Sequence, residues 1–225
     1  MIITEQKPFA QIIDSLKGYT KIFLVGCGEC ATTCKTGGED ELLKMKTQLE
    51  EQGKTVLGMC MPSAPCVAAQ IKTELAKNIQ ALRQADAVLV LACGLGVQSV
   101  KDNDRLSLVV LPCCNTLFSA VMDAQGNFYE KCSLCGECVL DITSGICPIT
   151  LCAKGLLNGP CGGMNKGKCE VDKDKDCAWI LIYKELEKRK QLDRLKKVLA
   201  AKDYKKTTRP RKLSMVNQNG TSSIK

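Results

Sequence analysis

Sixteen cysteines and not one histidine bound the chemistry open to this 225-residue chain. Eight of the cysteines fall between positions 132 and 177: Cys132, Cys135, Cys138, Cys147, Cys152, Cys161, Cys169 and Cys177. The run opens C-x2-C-x2-C, which puts three thiolates within one short turn of backbone. A cuboidal iron–sulfur cluster needs such a turn, because each sulfur must reach a different iron of one compact cage. Cys147 is followed by Pro148, as is the fourth cysteine of a bacterial ferredoxin run, but eight residues separate it from Cys138 instead of three. The absence of histidine excludes Cys/His zinc fingers, Rieske centres, His-ligated haem and a histidine acid–base catalyst. Four cysteines can also hold zinc, which is the alternative at one of the sites. Disulfides need an oxidising compartment. Residues 1–18 lack a basic stretch followed by an apolar one, so a cytoplasmic setting is expected. No apolar run approaches the roughly 18 residues of a membrane span.

A second set of cysteines lies upstream, and its placement depends on the elements around it. Residues 1–118 read as alternating strands and helices. Strands are expected at 19–27, 54–60, 87–92 and 106–111, and helices at 39–52 and 67–85, with a short helix after Gly94–Gly96. Residues 87–92 are continuously apolar, as a buried parallel strand should be. This β-α-β order predicts an open parallel sheet of Rossmann or flavodoxin-like type. A cysteine follows each strand: Cys27, Cys60, Cys93, then Cys113 with Cys114. Ligands of such sheets bind outside the carboxyl ends of the strands. Cys27, Cys30 and Cys34 form a C-x2-C-x3-C loop, and Cys93 closes a four-thiolate site, with Cys60 as its substitute. Cys60, Cys66, Cys113 and Cys114 read individually as small buried hydrophobes. Gly94-x-Gly96 lacks the third glycine and the acidic partner of a dinucleotide loop.

The fold class is therefore α/β. A small open parallel sheet over residues 1–118 is followed by a cysteine-rich metal-cluster domain at 119–183, then a C-terminal helix with a basic mobile tail at 184–225. Residues 119–131 read as a connector with a polar turn at 123–127. Apolar residues from Trp179 to Leu199 keep helical spacing, and 203–225 read as the tail. The net charge of +8 is concentrated at this end. Residues 184–225 hold 14 Lys/Arg against 4 Asp/Glu, or +10, which leaves −2 for the rest. No aromatic interleaving accompanies that charge, which argues against nucleic acid as the partner.

Three metal groups follow: Cys27, Cys30, Cys34 and Cys93; Cys132, Cys135, Cys138 and Cys147; Cys152, Cys161, Cys169 and Cys177. The last two can interleave, since a distal cysteine often completes the other cluster of a two-cluster ferredoxin. Two or three [4Fe–4S] clusters are expected, with oxygen sensitivity as a consequence. A zinc-stabilised scaffold without redox role is the competing reading. An autonomous reductase is a third, and it would need carboxylates, lysines, tyrosines or thiols for acid–base work.

The run from Cys132 onward, with G-I-C-P-I-T-x-C-A-K-G-L-L-N-G-P-C-G-G at 145–163, then G-K-C-E-V and C-A-W, resembles the C-terminal domain associated with methylenetetrahydrofolate reductases. The upstream C-G-x-C-x3-C and A-C-G-x-G resemble the small iron–sulfur subunit of the acetogen-type reductase. The resemblance implies a non-catalytic subunit of an anaerobic, acetyl-CoA-pathway enzyme of one-carbon metabolism. Its partner would be a separate FMN-containing TIM-barrel subunit that reduces methylenetetrahydrofolate to methyltetrahydrofolate. An upstream donor, ferredoxin or a flavin- and cluster-bearing module, would supply the electrons.

Overall fold

The computed structural model describes residues 1–213, which divide into two compact units, one of residues 1–120 and a second that begins at Val121. In chain order the first unit holds β1 (Ile2–Gln6), α1 (Phe9–Ser15), β2 (Lys21–Val25), α2 (Cys30–Thr33), α3 (Glu39–Glu51), β3 (Thr55–Cys60), α4 (Ala68–Lys77), α5 (Ile79–Leu82), β4 (Ala87–Val90), α6 (Gly94–Asn103) and β5 (Val109–Pro112). Strand β6 (Cys114–Met122) follows, then β7 (Phe128–Glu130), α7 (Pro148–Leu151), α8 (Ala178–Lys188) and two 3-10 turns at Leu192–Lys196 and Tyr204–Thr207. Among the described residues no helix is long and apolar enough to cross a membrane.

The expected parallel sheet is present, in the order β3-β2-β4-β5. β2 is flanked on both sides, with Val25 level with Cys60 on β3 and with Val90 on β4. Side chains of a strand alternate between faces, and this divides the core in two. Phe23, Val25, Val88 and Val90 meet Ile71, Leu75, Leu82 and Val100 from α4, α5 and α6. Ile22, Leu24, Ala87 and Leu89 meet Ile12, Leu42, Met45 and Leu49 from α1 and α3. The result is a three-layer α/β sandwich. The chain moves outward from β2 to β3 on one side and from β4 to β5 on the other, so the topological switch lies between β2 and β4.

Several elements depart from the sequence expectation, each for a local reason. The fourth strand starts at Val109, because Ser107 has φ +57° and the Asp104 carboxylate accepts from the amides of Leu106 (2.9 Å) and Leu108 (2.5 Å). The helix expected over 67–85 is broken at Asn78 into α4 and α5. The connector expected at 119–131 is largely strand. β6 runs antiparallel to β1, with Gln6 opposite Cys114 and Ile2 opposite Ser119. The polar turn within it is real: the Asp123 carboxylate accepts from the amides of Gln125 and Asn127, and Gly126 sits at φ +87°.

The helix expected to run to Leu199 ends at Lys188. Lys190 takes a left-handed φ of +56°, its amide donates to the Glu187 carbonyl, and the Gln191 amide donates to the Leu186 carbonyl. That pair of bonds is a Schellman stop, a position usually given to glycine. It turns Leu192 back onto the small core of Trp179, Ile182 and Leu186. Residues 203–211, expected as part of a mobile tail, are instead bonded, together with Lys202, to the loop at 134–137. Glu137 draws them in: its carboxylate accepts from Lys206 Nζ (2.6 Å) and the Asp203 amide (2.8 Å), and its carbonyl accepts from Lys202 Nζ. Residues 214–225 of that expected tail lie outside the described residues.

Candidate metal centre

The carboxyl edge of the parallel sheet carries the first group of thiols. Past Val25 the chain stays tied to its neighbours: the Gly26 amide donates to the Cys60 carbonyl and the Cys27 amide to the Gly37 carbonyl, both at 2.9 Å. Cys27 is buried, with its Sγ 3.9 Å from the Ser63 carbonyl. Cys30 and Cys34 are four residues apart across the single turn α2, so they share one side of it. Lys35, at φ +53°, ends that turn with another Schellman pair to Thr32 and Ala31. Cys30 Sγ accepts from the Ile2 amide at 3.5 Å, and Cys34 Sγ donates to the Ile2 carbonyl at 3.9 Å. Cys93 is the N-cap of α6 in extended backbone and is buried.

The remaining strand-end cysteines separate into distinct environments. Cys60 is buried at the end of β3, and burial, reinforced by the Glu74 carboxylate, pushes its thiol up to about 12. Cys113 and Cys114 are buried side by side. The Cys113 thiol is pushed up by its hydrogen bond to Cys114, and Cys114 is held low by the same bond. Cys66 corrects the expectation of a buried hydrophobe: it is exposed. Its thiol is pushed up by desolvation first, then by the neighbouring sulfurs of Cys93, Cys27 and Cys30.

In the second group the turns are built for sulfur. Leu134 (φ +56°) and Gly136 (φ +79°) stand between the cysteines and reverse the chain locally. The Leu134 amide donates to Cys132 Sγ at 3.4 Å, and Cys135 Sγ donates to the Glu137 carbonyl at 3.4 Å. Burial opposes ionisation of Cys135, but the Glu137 backbone and the Lys202 ammonium outweigh it and lower its thiol. Lys202 is itself 8% exposed. Cys147 caps α7 with Pro148 in its first turn, and its Sγ donates to Thr150 Oγ1 at 3.6 Å.

The third group converges. Cys152, Cys161, Cys169 and Cys177 all line one small cavity of about 20 Å³, together with Lys154, Glu170, Met164 and Trp179. Trp179 closes it from the core side, with its Nε1 donating to the Leu156 carbonyl at 2.9 Å. Lys154 and Glu170 form an ion pair at its rim. Lys154 holds the Glu170 carboxyl below its usual range, helped by a hydrogen bond with Cys161.

No disulfide joins any of the sixteen cysteines. Among the described residues no group of three or more His, Cys, Asp or Glu is drawn close enough to hold a metal ion as it stands. The donor set nevertheless fits a sulfur-ligated group in its chemistry: thiols unspent on disulfides, backbone amides directed at sulfur, and four cysteines around one cavity. Sequence reasoning missed three residues that stand against these thiols. Cys66 sits in a loop between Pro62 and Pro65 and α4, a tight turn whose prolines were legible. Lys202 and Glu170 carry no local signal, because only the fold brings them to Cys135 and Cys161.

A comparison with curated proteins and one with solved structures each found no match. A comparison with protein-family models did: residues 111–205, from the end of β5 through the whole cysteine-rich segment to the second 3-10 turn, match the family described as methylene-tetrahydrofolate reductase C terminal.

Proposed function

We propose that this chain is an iron–sulfur electron-transfer subunit that serves a partner flavoprotein reducing methylenetetrahydrofolate to methyltetrahydrofolate. The family match over residues 111–205 carries this reading, since it ties the cysteine-rich segment to that enzyme. A [4Fe–4S] cluster, when bound, supplies one-electron oxidation and reduction with little movement of its thiolates. The residues to hold such groups are Cys132, Cys135, Cys138 and Cys147 in the second unit, and cysteines of the sheet edge in the first.

The chain's own groups would set the conditions at those thiolates. The Leu134 amide donates toward Cys132 and withdraws charge from its sulfur. Lys202 places a cation beside Cys135, and a positive charge favours the reduced, more negative state of any group held there. Lys202 is fixed in place by the Glu137 carbonyl. At the third group four cysteines line one small cavity of about 20 Å³. Four cysteines around one cavity are a donor set that would suit zinc, tetrahedrally ligated by Cys152, Cys161, Cys169 and Cys177. In that unit zinc would be structural, and the scaffold reading would apply to this site alone.

The test is flavin reduction. The anaerobically prepared chain is mixed with an FMN-containing methylenetetrahydrofolate reductase barrel subunit, with reduced methyl viologen as donor. Flavin bleaching that speeds up in proportion to added chain supports the proposal. Bleaching at the same rate with and without an iron-loaded chain overturns it.

A further inference from the structure

The parallel sheet has its topological switch between β2 and β4, and open α/β sheets bind their ligands in the crevice outside the strand ends at that point. Cys27 follows β2 and Cys93 follows β4, so this crevice is bounded by two thiols, both buried. The loop after β3 is pinned over the same place from both sides. On the β2 side the Gly28 amide donates to the Pro62 carbonyl at 3.0 Å, and a Cβ on Gly28 would lie 3.1 Å from Ser63 Cα. On the β4 side a Cβ on Gly96 would lie 3.1 Å from Pro65 Cγ and 2.9 Å from Ala92 Cβ. Both glycines are needed for the loop to come this close. The next residue after Pro65 is Cys66, which is exposed, and its sulfur feels those of Cys93, Cys27 and Cys30. Cys30 and Cys34 both reach Ile2, Cys30 Sγ accepting from its amide and Cys34 Sγ donating to its carbonyl, but Cys30 is the one of the pair whose sulfur also acts on Cys66.

We propose that Cys66, rather than Cys34, completes a four-thiolate metal site with Cys27, Cys30 and Cys93 at the switch point of the parallel sheet. Three adjacent loops then each deliver thiols to one crevice: two from the β2–α2 loop, one from β3–α4 and one from β4–α6. Each thiol gives up its proton on binding, so the charge of the metal is met by four thiolates. Cys60, by contrast, is buried within the core behind the crevice. The nature of the bound group rests on the electron-transfer reading above; the identity of the four ligands does not.

The experiment uses the full-length chain, prepared anaerobically, as wild type and as Cys66→Ser, Cys66→Ala and Cys34→Ser. Iron and sulfide are counted, and the dithionite-reduced protein is examined by electron paramagnetic resonance. Cys66→Ser and Cys66→Ala are each expected to lose about four iron atoms, the content of one cluster, with one set of resonances lost or shifted. Cys34→Ser is expected to keep the wild-type count. A full count in both Cys66 variants, or the loss in Cys34→Ser alone, overturns the proposal. Cobalt(II) alone is also titrated into metal-free protein, and its thiolate charge-transfer absorption is followed. A smaller absorption in both Cys66 variants than in wild type supports the site even in a protein that holds no iron. Absorption equal to wild type in the Cys66 variants counts against it. Circular dichroism separates ligand loss from unfolding, and an exposed position leaves the fold intact.

Discussion

Truncating Ile182 to alanine should unfold the second unit at markedly lower denaturant, and the chain carries its own reporter for the measurement. Trp179 is the single tryptophan. It is 5% exposed and shares one core with Ile182 and Leu186, against which Ile146, Leu156 and Leu192 pack. Ile182 is fully buried. Removing a buried aliphatic side chain down to Cβ costs about 2–5 kcal/mol, the loss of transfer energy plus the cavity left behind. The core is small, so few neighbours can collapse into the gap, and about 3 kcal/mol is a reasonable centre. With a urea dependence of about 1.5 kcal/mol per molar for a unit of this size, the midpoint should fall by about 2 M. The assay is Trp179 emission against urea, under anaerobic conditions and at fixed metal content. Leu181 supplies the control: one residue along the helix turns about 100°, and Leu181 is 38% exposed. Leu181→Ala should stay within about 0.5 kcal/mol of wild type. Equal midpoints for Ile182→Ala and wild type, with the same slope, would refute the assignment of this core.

Other outcomes follow from single residues. Asp86 accepts from the Lys21 and Thr20 amides, both at 2.8 Å, and from the Thr20 hydroxyl, which hold its carboxyl below the ordinary 3.8. A depressed carboxylate stabilises the fold above its unfolded pKa, and that contribution disappears as pH falls through the folded one. The Tm gap between wild type and Asp86→Ala should therefore be full at neutral pH and close as pH drops below 3.8. Cys60, at about 12, has a thiolate fraction of roughly 10⁻⁴ at pH 8, so iodoacetamide should label it far more slowly than exposed Cys66 when the metal-free protein is read by mass spectrometry. Gly96→Val would force a side chain against Ala92 and Pro65. That overpacking should cost about 1–3 kcal/mol in denaturant unfolding followed by circular dichroism, and a neutral result would show the loop to be loose. Glu137→Ala removes the acceptor of Lys206 and Asp203. Limited trypsin digestion should then cut faster after Lys205 and Lys206, and unchanged rates would count against this contact.

The parallel sheet was legible because its strands are short, apolar and bounded by glycine and cysteine. Val88 and Val90 pack on one face while Leu89 packs on the other, as in a strand buried on both sides. The β1–β6 pairing was not, because Ile2–Gln6 and Cys114–Met122 lie more than a hundred residues apart and neither has a strong pattern of its own. Leu117, Val121 and Met122 are exposed, so the alternation that would mark β6 is blurred. The end of α8 was hidden by Lys190, a lysine in the backbone position where glycine would have announced the stop. For the thiols, spacing brought out Cys152, Cys161, Cys169 and Cys177, which do share a cavity. It could not place Cys66, whose neighbours Cys27 and Cys93 come from other strands. Nor could spacing show the approach of Lys202 to Cys135, across 67 positions of chain.

Whether these cysteines hold redox-active iron is read from the metal content itself. Iron, acid-labile sulfide and zinc should be measured on anaerobically purified full-length chain together with its visible spectrum. A brown protein is expected, with about eight iron atoms, four per cluster, absorption that bleaches with dithionite, and about one zinc. A colourless protein that holds zinc and no iron would rule out the electron-transfer role.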